Sequence, residues 1–273
     1  MITLFIALAV AFGGFSASYW GADLGMGWSA FLGVLSFIVF QLAFNFFIQR
    51  KVKADMAKVQ GILEGGQKRL QQKMQRWQMR PPGSIQAAQK EIADDTRVFV
   101  KEALAETEAL RKYRLWVPMI ERQMATAQLQ LNWMIRDFKA VDRLMPKAMF
   151  LDPMMSAIKM ARMYMLDAPT EEIGKVYRKG ARRLRYNQNV LLAAAWSWIL
   201  VKRNGSADDG ESAFKALSEA LEKSDNETLK RNHEILMNRR VPQFSNSGLG
   251  DQWYSLLLEE PRVKTQRQRP VYR

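Results

Sequence analysis

The chain has no cysteine and a single histidine, His233, in 273 residues. The first absence excludes disulfides, thiolate metal sites and cysteine nucleophiles. The second excludes multi-histidine zinc sites and leaves little room for histidine acid–base chemistry. Also missing are a Walker A run, a glycine-rich strand–helix turn for a dinucleotide and a G-x-S-x-G elbow. Carboxylates occur in neighbouring pairs, Asp94-Asp95, Glu171-Glu172, Asp208-Asp209 and Glu259-Glu260. Neighbours on a helix point about 100° apart, so such pairs do not converge on one ion. The Asp208-Asp209 stretch lacks the alternating oxygen ligands of a calcium loop. The expectation is a non-enzymatic chain with no catalytic residues, no cofactor and no metal.

Acid is scarce relative to base. There are 27 Asp and Glu against 41 Lys and Arg, a formal net charge of +14, while 48% of the residues are hydrophobic. That much apolar material excludes wholesale disorder. Charge is wholly missing from two stretches near the start, Ile2 to Trp20 and Trp28 to Ile48. Each has the roughly 20 residues that a helix needs to cross a bilayer core of about 30 Å. The glycine-rich segment 21–27 joins them, flanked by Trp20 and Trp28, residues that favour the headgroup level. Residues 1–49 are therefore expected to form a two-helix transmembrane hairpin.

Nine Lys and Arg against Asp55 and Glu64 follow in residues 50–80. The positive-inside rule then places residues 50–273 in the cytoplasm, with the bacterial inner membrane as the expected location. An alternative reading makes the first stretch a signal peptide cleaved after Ser16-Ala17-Ser18, although Met1-Ile2-Thr3 offers no basic leader. The body stays cytoplasmic either way. Gly13/Ala17 and Gly14/Ser18 are small-residue pairs suited to close helix contact. Gln41 and Asn45, at i and i+4, put two amides on one face of the second span, where they need another helix to face.

Residues 50–83 read as a basic amphipathic juxtamembrane segment, weakened by Gly65-Gly66 and ended by Arg80-Pro81-Pro82-Gly83. Arg50, Lys51, Lys53, Lys68, Arg69, Lys73 and Arg76 are its candidate contacts to anionic lipid. Residues 84–150 read as a long helical hairpin. Ser84 serves as N-cap of its first helix. In its second, Ile120, Met124, Ala127, Leu131, Met134, Phe138, Val141 and Met145 recur in alternating steps of four and three. That is a heptad seam over 120–145, able to close within the chain or to make a homo-oligomer.

From Asp152 the texture changes to short helices of about 14 residues. Ala161-Arg-Met-Tyr164 aligns with Ala195-Trp-Ser-Trp198 at a spacing of 34, a small residue followed three positions later by an aromatic. Tyr177 and Gly180, then Ala213, Leu217 and Ala220, fall on the partner helices. Residues 153–226 thus resemble tetratricopeptide repeats, in a degenerate form without the proline after the second helix of each unit. The resemblance implies a helical-repeat domain over 151–261 that binds a partner protein on a concave surface. A generic α-solenoid or bundle gives the same helical hairpins.

Arg182, Arg183 and Arg185 are the candidate contacts to an acidic partner, with a solvated helix face as the plainer reading. Trp196 and Trp198 read as core, and Asp251 to Leu258 as a final helix capping the stack. The tail, 262–273, has five basic residues and no acid, and reads as disordered. The fold class is all-α, and the function a membrane-anchored scaffold or adaptor. The alternative is a membrane-surface binder of anionic lipid or nucleic acid through the basic segments.

Overall fold

The structure is a computed structural model that describes residues 2–22, 25–80, 83–183, 190–203 and 207–261. The described residues contain helices and turns but no strand. They fall into two compact units, 1–149 and 150–273.

Unit 1 starts with the hairpin. Helix α1 spans Ile2–Ser16 and runs on through a wider turn, Ala17–Gly21. Helix α2 spans Met26–Met79, 54 residues without a break. Both are long and apolar enough to cross a membrane, and only 11% of each apolar window is buried. Phe5, Phe12, Leu42 and Phe46 are each more than 60% exposed, a cost in water that lipid removes. Of the two small-residue pairs, Gly14/Ser18 faces α2. A Cβ on Gly14 would lie 2.6 Å from Ser36 Oγ, and one on Gly33 would lie 3.1 Å from the Ala11 carbonyl. Gly13 meets nothing within 4 Å.

Beyond the apolar run α2 becomes one wall of a water-facing bundle. The expected break between a span and a separate juxtamembrane segment does not exist, because Arg50 to Met79 has the strong helix formers to continue the same helix. Helix α3 (Ile85–Glu108) starts at Ser84, whose Oγ accepts from Ala87 N at 3.1 Å. It returns antiparallel to α2. Val59 of α2, Phe99, Val100 and Ala103 of α3, and Leu131 of helix α4 (Ile120–Met134) form one buried cluster. Gly66 is the closest approach: a Cβ there would stand 2.3 Å from the Phe99 ring. The glycine that looked like a weak point is thus the slot for Phe99. A second cluster joins Val52 to Leu110, Tyr113, Val117, Ile120 and Met124.

The heptad seam is not continuous. Helix α4 ends at Met134, Arg136 takes a left-handed backbone (φ 59°), and a new helix α5 (Phe138–Leu144) starts under the Asp137 cap. Ile120, Met124, Leu131 and Val141 are buried inside the unit while Met134 is 39% exposed. Four of the eight seam positions therefore pack within the unit, and Met134 faces outward. The separate hairpin expected over 84–150 is likewise part of the α2 bundle.

An ionic clasp locks α2 to the turn after α3. Asp55, 8% exposed at its side chain, accepts from Lys112 Nζ at 2.6 Å, Lys58 Nζ at 3.0 Å and the Tyr113 hydroxyl at 2.9 Å. The two ammonium groups and the phenol hold its carboxyl well below the usual carboxylate range. Burial and the neighbouring carboxylate push the Tyr113 phenol up.

Unit 2 holds α6 (Pro153–Met165), α7 (Thr170–Arg183), α8 (Val190–Arg203), α9 (Ala207–Leu221) and α10 (Glu227–Met237). Asp152 caps α6 with Pro153 at its first position, and Asn226 caps α10. Both are favoured placements. Helix α8 is the core: Leu191 to Ala195 and Ser197 to Val201 are buried, and α6, α7 and α9 pack on it. The expected final helix over 251–258 is helical only at Asp251–Tyr254, named α11. Leu257 has a left-handed φ of 58°, so the segment coils over the core instead. Trp253 is fully buried and donates from Nε1 to Glu259 at 2.8 Å, while the buried Asn246 donates to the Ala194 carbonyl at 2.9 Å.

Two outcomes follow for unit 1. Gly65→Ala should stabilise by about 0.5–1 kcal/mol through helix propensity, whereas Gly66→Ala should destabilise by about 1–3 kcal/mol because Phe99 must move. Thermal melts of the two variants should shift in opposite directions. Asp55→Asn should cost about 1–3 kcal/mol at neutral pH. Since the folded pKa is depressed, that stabilisation is complete above about pH 4 and lost as pH falls further. The gap between wild-type and Asp55→Asn melting temperatures should therefore close in acid.

Candidate functional site

The sequence marked three groups of residues, and the structure treats them differently. The amides Gln41 and Asn45 line a cavity of about 380 Å³, with Thr3 and Leu4 of α1 on one side and Trp116 to Pro118 on the other. The carbonyl oxygen of Gln41 is buried there with no hydrogen-bond partner among the described residues. The apolar half of α2 thus faces α1 as expected, but also a loop of the bundle far along the chain.

The basic residues of α2 divide by distance. At 1.5 Å per residue, Arg50, Lys51 and Lys53 lie within about 8 Å of Ile48, whereas Lys68 to Arg76 lie about 30–42 Å beyond it. A straight helix crossing a bilayer along its normal would carry the latter beyond the Debye length of about 8 Å over which lipid charge fades. Lys73 has a different task. Its Nζ lies 2.6 Å from Glu91 and 2.5 Å from Asp95 of α3, and these carboxylates push its pKa up. It pins α2 to α3.

Arg182 and Arg183 belong to a larger set. Lys175, Arg178, Lys179, Arg182 and Arg183 fall within an arc of about 140° on α7 and line an open concavity of about 460 Å³. Arg185 lies outside the described residues, as do Asp23 and the tail 262–273. Sequence inspection found the consecutive arginines and missed Lys175, Arg178 and Lys179. Their signal was the i, i+3, i+4, i+7 spacing, not adjacency.

The opposite face of α7 explains why the cations project outward. Ile173, Gly174, Tyr177 and Gly180 are buried. A Cβ on Gly174 would meet Trp196 at 3.2 Å, and one on Gly180 would meet Leu192 at 3.2 Å. The Tyr177 ring stacks on Trp196 at 5.7 Å, and burial, aided by Glu219, pushes its phenol up to about 12. The two glycines let α7 sit close against α8, so its long basic side chains have only solvent to enter. The glutamates in its first turn and arginines in its last complement the helix dipole.

Compensation of this charge is slight. Lys175 has Glu171 at 3.7 Å. Among the described residues no carboxylate lies within ion-pair distance of Arg178, Lys179, Arg182 or Arg183. Lys159 of α6 adds a further cation. Its Nζ sits 4.7 Å from the Phe150 ring centre, and burial together with Lys179 pushes its pKa down. Five like charges on one helix raise the energy of the folded state. The described residues that line the concavity are all lysines and arginines. Such a surface suits an extended anionic partner.

His233 is partly buried, stacked on Phe214 at 4.2 Å with Nε2 2.9 Å from Ser218 Oγ. No group of three or more His, Asp or Glu side chains among the described residues is placed to hold a metal. Comparison with family models, curated proteins and solved structures returns no match.

Neutralising α7 tests whether its charges serve the fold. The variant with Arg178, Lys179, Arg182 and Arg183 all replaced by Gln should melt at the wild-type temperature or slightly above it. A fall of several degrees in a calorimetric scan would make the face structural instead.

Proposed function

We propose that the protein is a membrane-anchored, non-enzymatic adaptor whose second unit recruits an acidic segment of a partner protein through the basic face of α7. One observation carries the reading: four cations with no carboxylate at ion-pair distance among the described residues share one helix face, backed by a buried apolar face. Charge left uncompensated at a folding cost is best accounted for by a partner that supplies the compensation. The apolar hairpin is read as the anchor, with Arg50, Lys51 and Lys53 on the cytoplasmic side of the bilayer.

Helices α6 to α9 are read as two degenerate tetratricopeptide-like units. The reading is supported by the contact between equivalent positions at the spacing of 34: the rings of Tyr164 and Trp198 meet at 5.5 Å, and Ala161 and Ala195 are both fully buried. It is supported too by the packing of α6 on α7, α8 on α9 and α9 on α10. Charge on α7 would steer the partner and set its register, while affinity would come from apolar and aromatic groups at the contact.

The test uses a photocrosslinking side chain at Lys179 and, as a control, at Glu222, in full-length protein in its membrane. The expected result is one protein captured from Lys179 and not from Glu222. Capture should fall about tenfold or more when Arg178, Arg182 and Arg183 become Gln, since losing several charge contacts costs more than the 1.4 kcal/mol that a factor of ten requires. High salt should weaken it as well. Recovery of only lipid or nucleic acid at Lys179, or equal capture at both positions, would overturn the reading.

A further inference from the structure

The loop between α3 and α4 carries features that the water-facing bundle does not explain. Tyr113 and Val117 are buried in the cluster around Val52. Between and after them, Leu115 is 56% exposed and Met119 is 54% exposed. Met119 also holds a left-handed backbone with φ 68°. That conformation is costly for a side chain of its size. Two large apolar groups turned outward on a strained loop raise the energy of the protein in water.

The position of the loop supplies a reason. The Trp116 ring lies 5.5 Å from the ring of Phe44, and Trp116 and Ile48 both pack against the cluster around Val52. Phe44 belongs to the apolar run of α2, four residues before Ile48 and six before the first charge, Arg50. At 1.5 Å per residue, Phe44 is about 6 Å on the apolar side of Ile48. The run from Trp28 to Ile48 is about 31 Å long, which matches a bilayer core of about 30 Å. Trp116 is therefore held level with the edge of that core, where tryptophan is favoured.

The charges around the loop fit the same depth. Arg111 and Arg122 are exposed, with no carboxylate at ion-pair distance among the described residues, and Arg50 and Lys51 stand one to two turns from Phe44 on α2. Arg114 is held by Glu121 at 2.7 Å and Lys112 by Asp55 at 2.6 Å. The result is an apolar tip ringed by cations at the level of the lipid phosphates.

We infer that the segment 114–119 is a second membrane contact, a wedge that inserts Leu115, Trp116 and Met119 among the headgroups and upper acyl chains of the leaflet from which α2 emerges. Its occupant is anionic phospholipid. The inference rests on the reading of α1 and α2 as a membrane hairpin. With the wedge in place the bundle is fixed at two points, and the Asp55 clasp transmits that fixation directly to α2. The bundle then cannot swivel about the span.

The absence of cysteine makes the test direct. Single variants Leu115→Cys, Met119→Cys, Val39→Cys in the span and Gln86→Cys at the far end of α3 are labelled with bimane. Each full-length protein is placed in vesicles of phosphatidylcholine and phosphatidylglycerol. Nitroxide near the carbonyl end of the lipid chains should quench the labels at 115 and 119 several-fold more than the label at 86, and iodide in the water should do the reverse. Iodide quenching at 115 and 119 equal to that at 86, with 39 still quenched by lipid nitroxide, would overturn the wedge and leave the hairpin standing. Protection at 115 and 119 from both quenchers would mean that protein covers the loop, and would also overturn it. If the label at 39 escapes lipid quenchers, the hairpin reading fails and the wedge fails with it.

Discussion

One helix carries two kinds of surface. Over its first half α2 shows large apolar side chains outward and is long and apolar enough to cross a membrane. Over its second half the same backbone carries lysine, arginine and glutamine outward and buries a narrow stripe, Val52, Val59, Leu63 and Gly66, against the bundle. The changeover falls at Arg50, and Asp55 lies one and a half turns past it. A buried carboxylate at that point is stable only with partners, and three are provided. Two of them come from the turn that precedes the loop 114–119, so its place relative to the span is fixed by the chemistry of one side chain.

The remainder of unit 1 is arranged around this helix. Phe99 enters the slot at Gly66, Lys73 reaches Glu91 and Asp95, and Ile120 and Met124 close over Val52. These contacts run in antiparallel register from residue 52 to residue 73 of α2. Unit 2 is organised differently. Its centre, α8, is buried nearly all round, and α7 is pressed against it through glycines, which forces five cations to the outside.

Much of this architecture could be read from the sequence because strong local signals carry it. Uncharged runs of 19 and 21 residues read as helices long and apolar enough to cross a membrane, and the structure has helices of that kind there. Ser84, Asp152-Pro153 and Asn226 are helix starts whose side chains cap as their types suggest. What escaped notice depends on partners far along the chain. The break at Ile135–Asp137 has no glycine or proline, and only the capping carboxylate of Asp137 hints at a new helix. Gly66 reads as a flaw until Phe99, 33 residues later, is seen to fill it. Lys73 looked like one more surface cation until two carboxylates of α3 claimed it. The basic face of α7 was half legible: the paired arginines stand out in print, while Lys175, Arg178 and Lys179 join them only on a helix.

The central claim is that α2 runs from its apolar half into the bundle as one unbroken rod. Spin labels on cysteines introduced at the exposed positions Val39 and Gln75 measure this directly in vesicles. Thirty-six residues of continuous helix set a single narrow distance of about 54 Å. A distribution much shorter or much broader would mean that the helix bends or breaks where it leaves the lipid, contradicting the rod and the fixed geometry built on it.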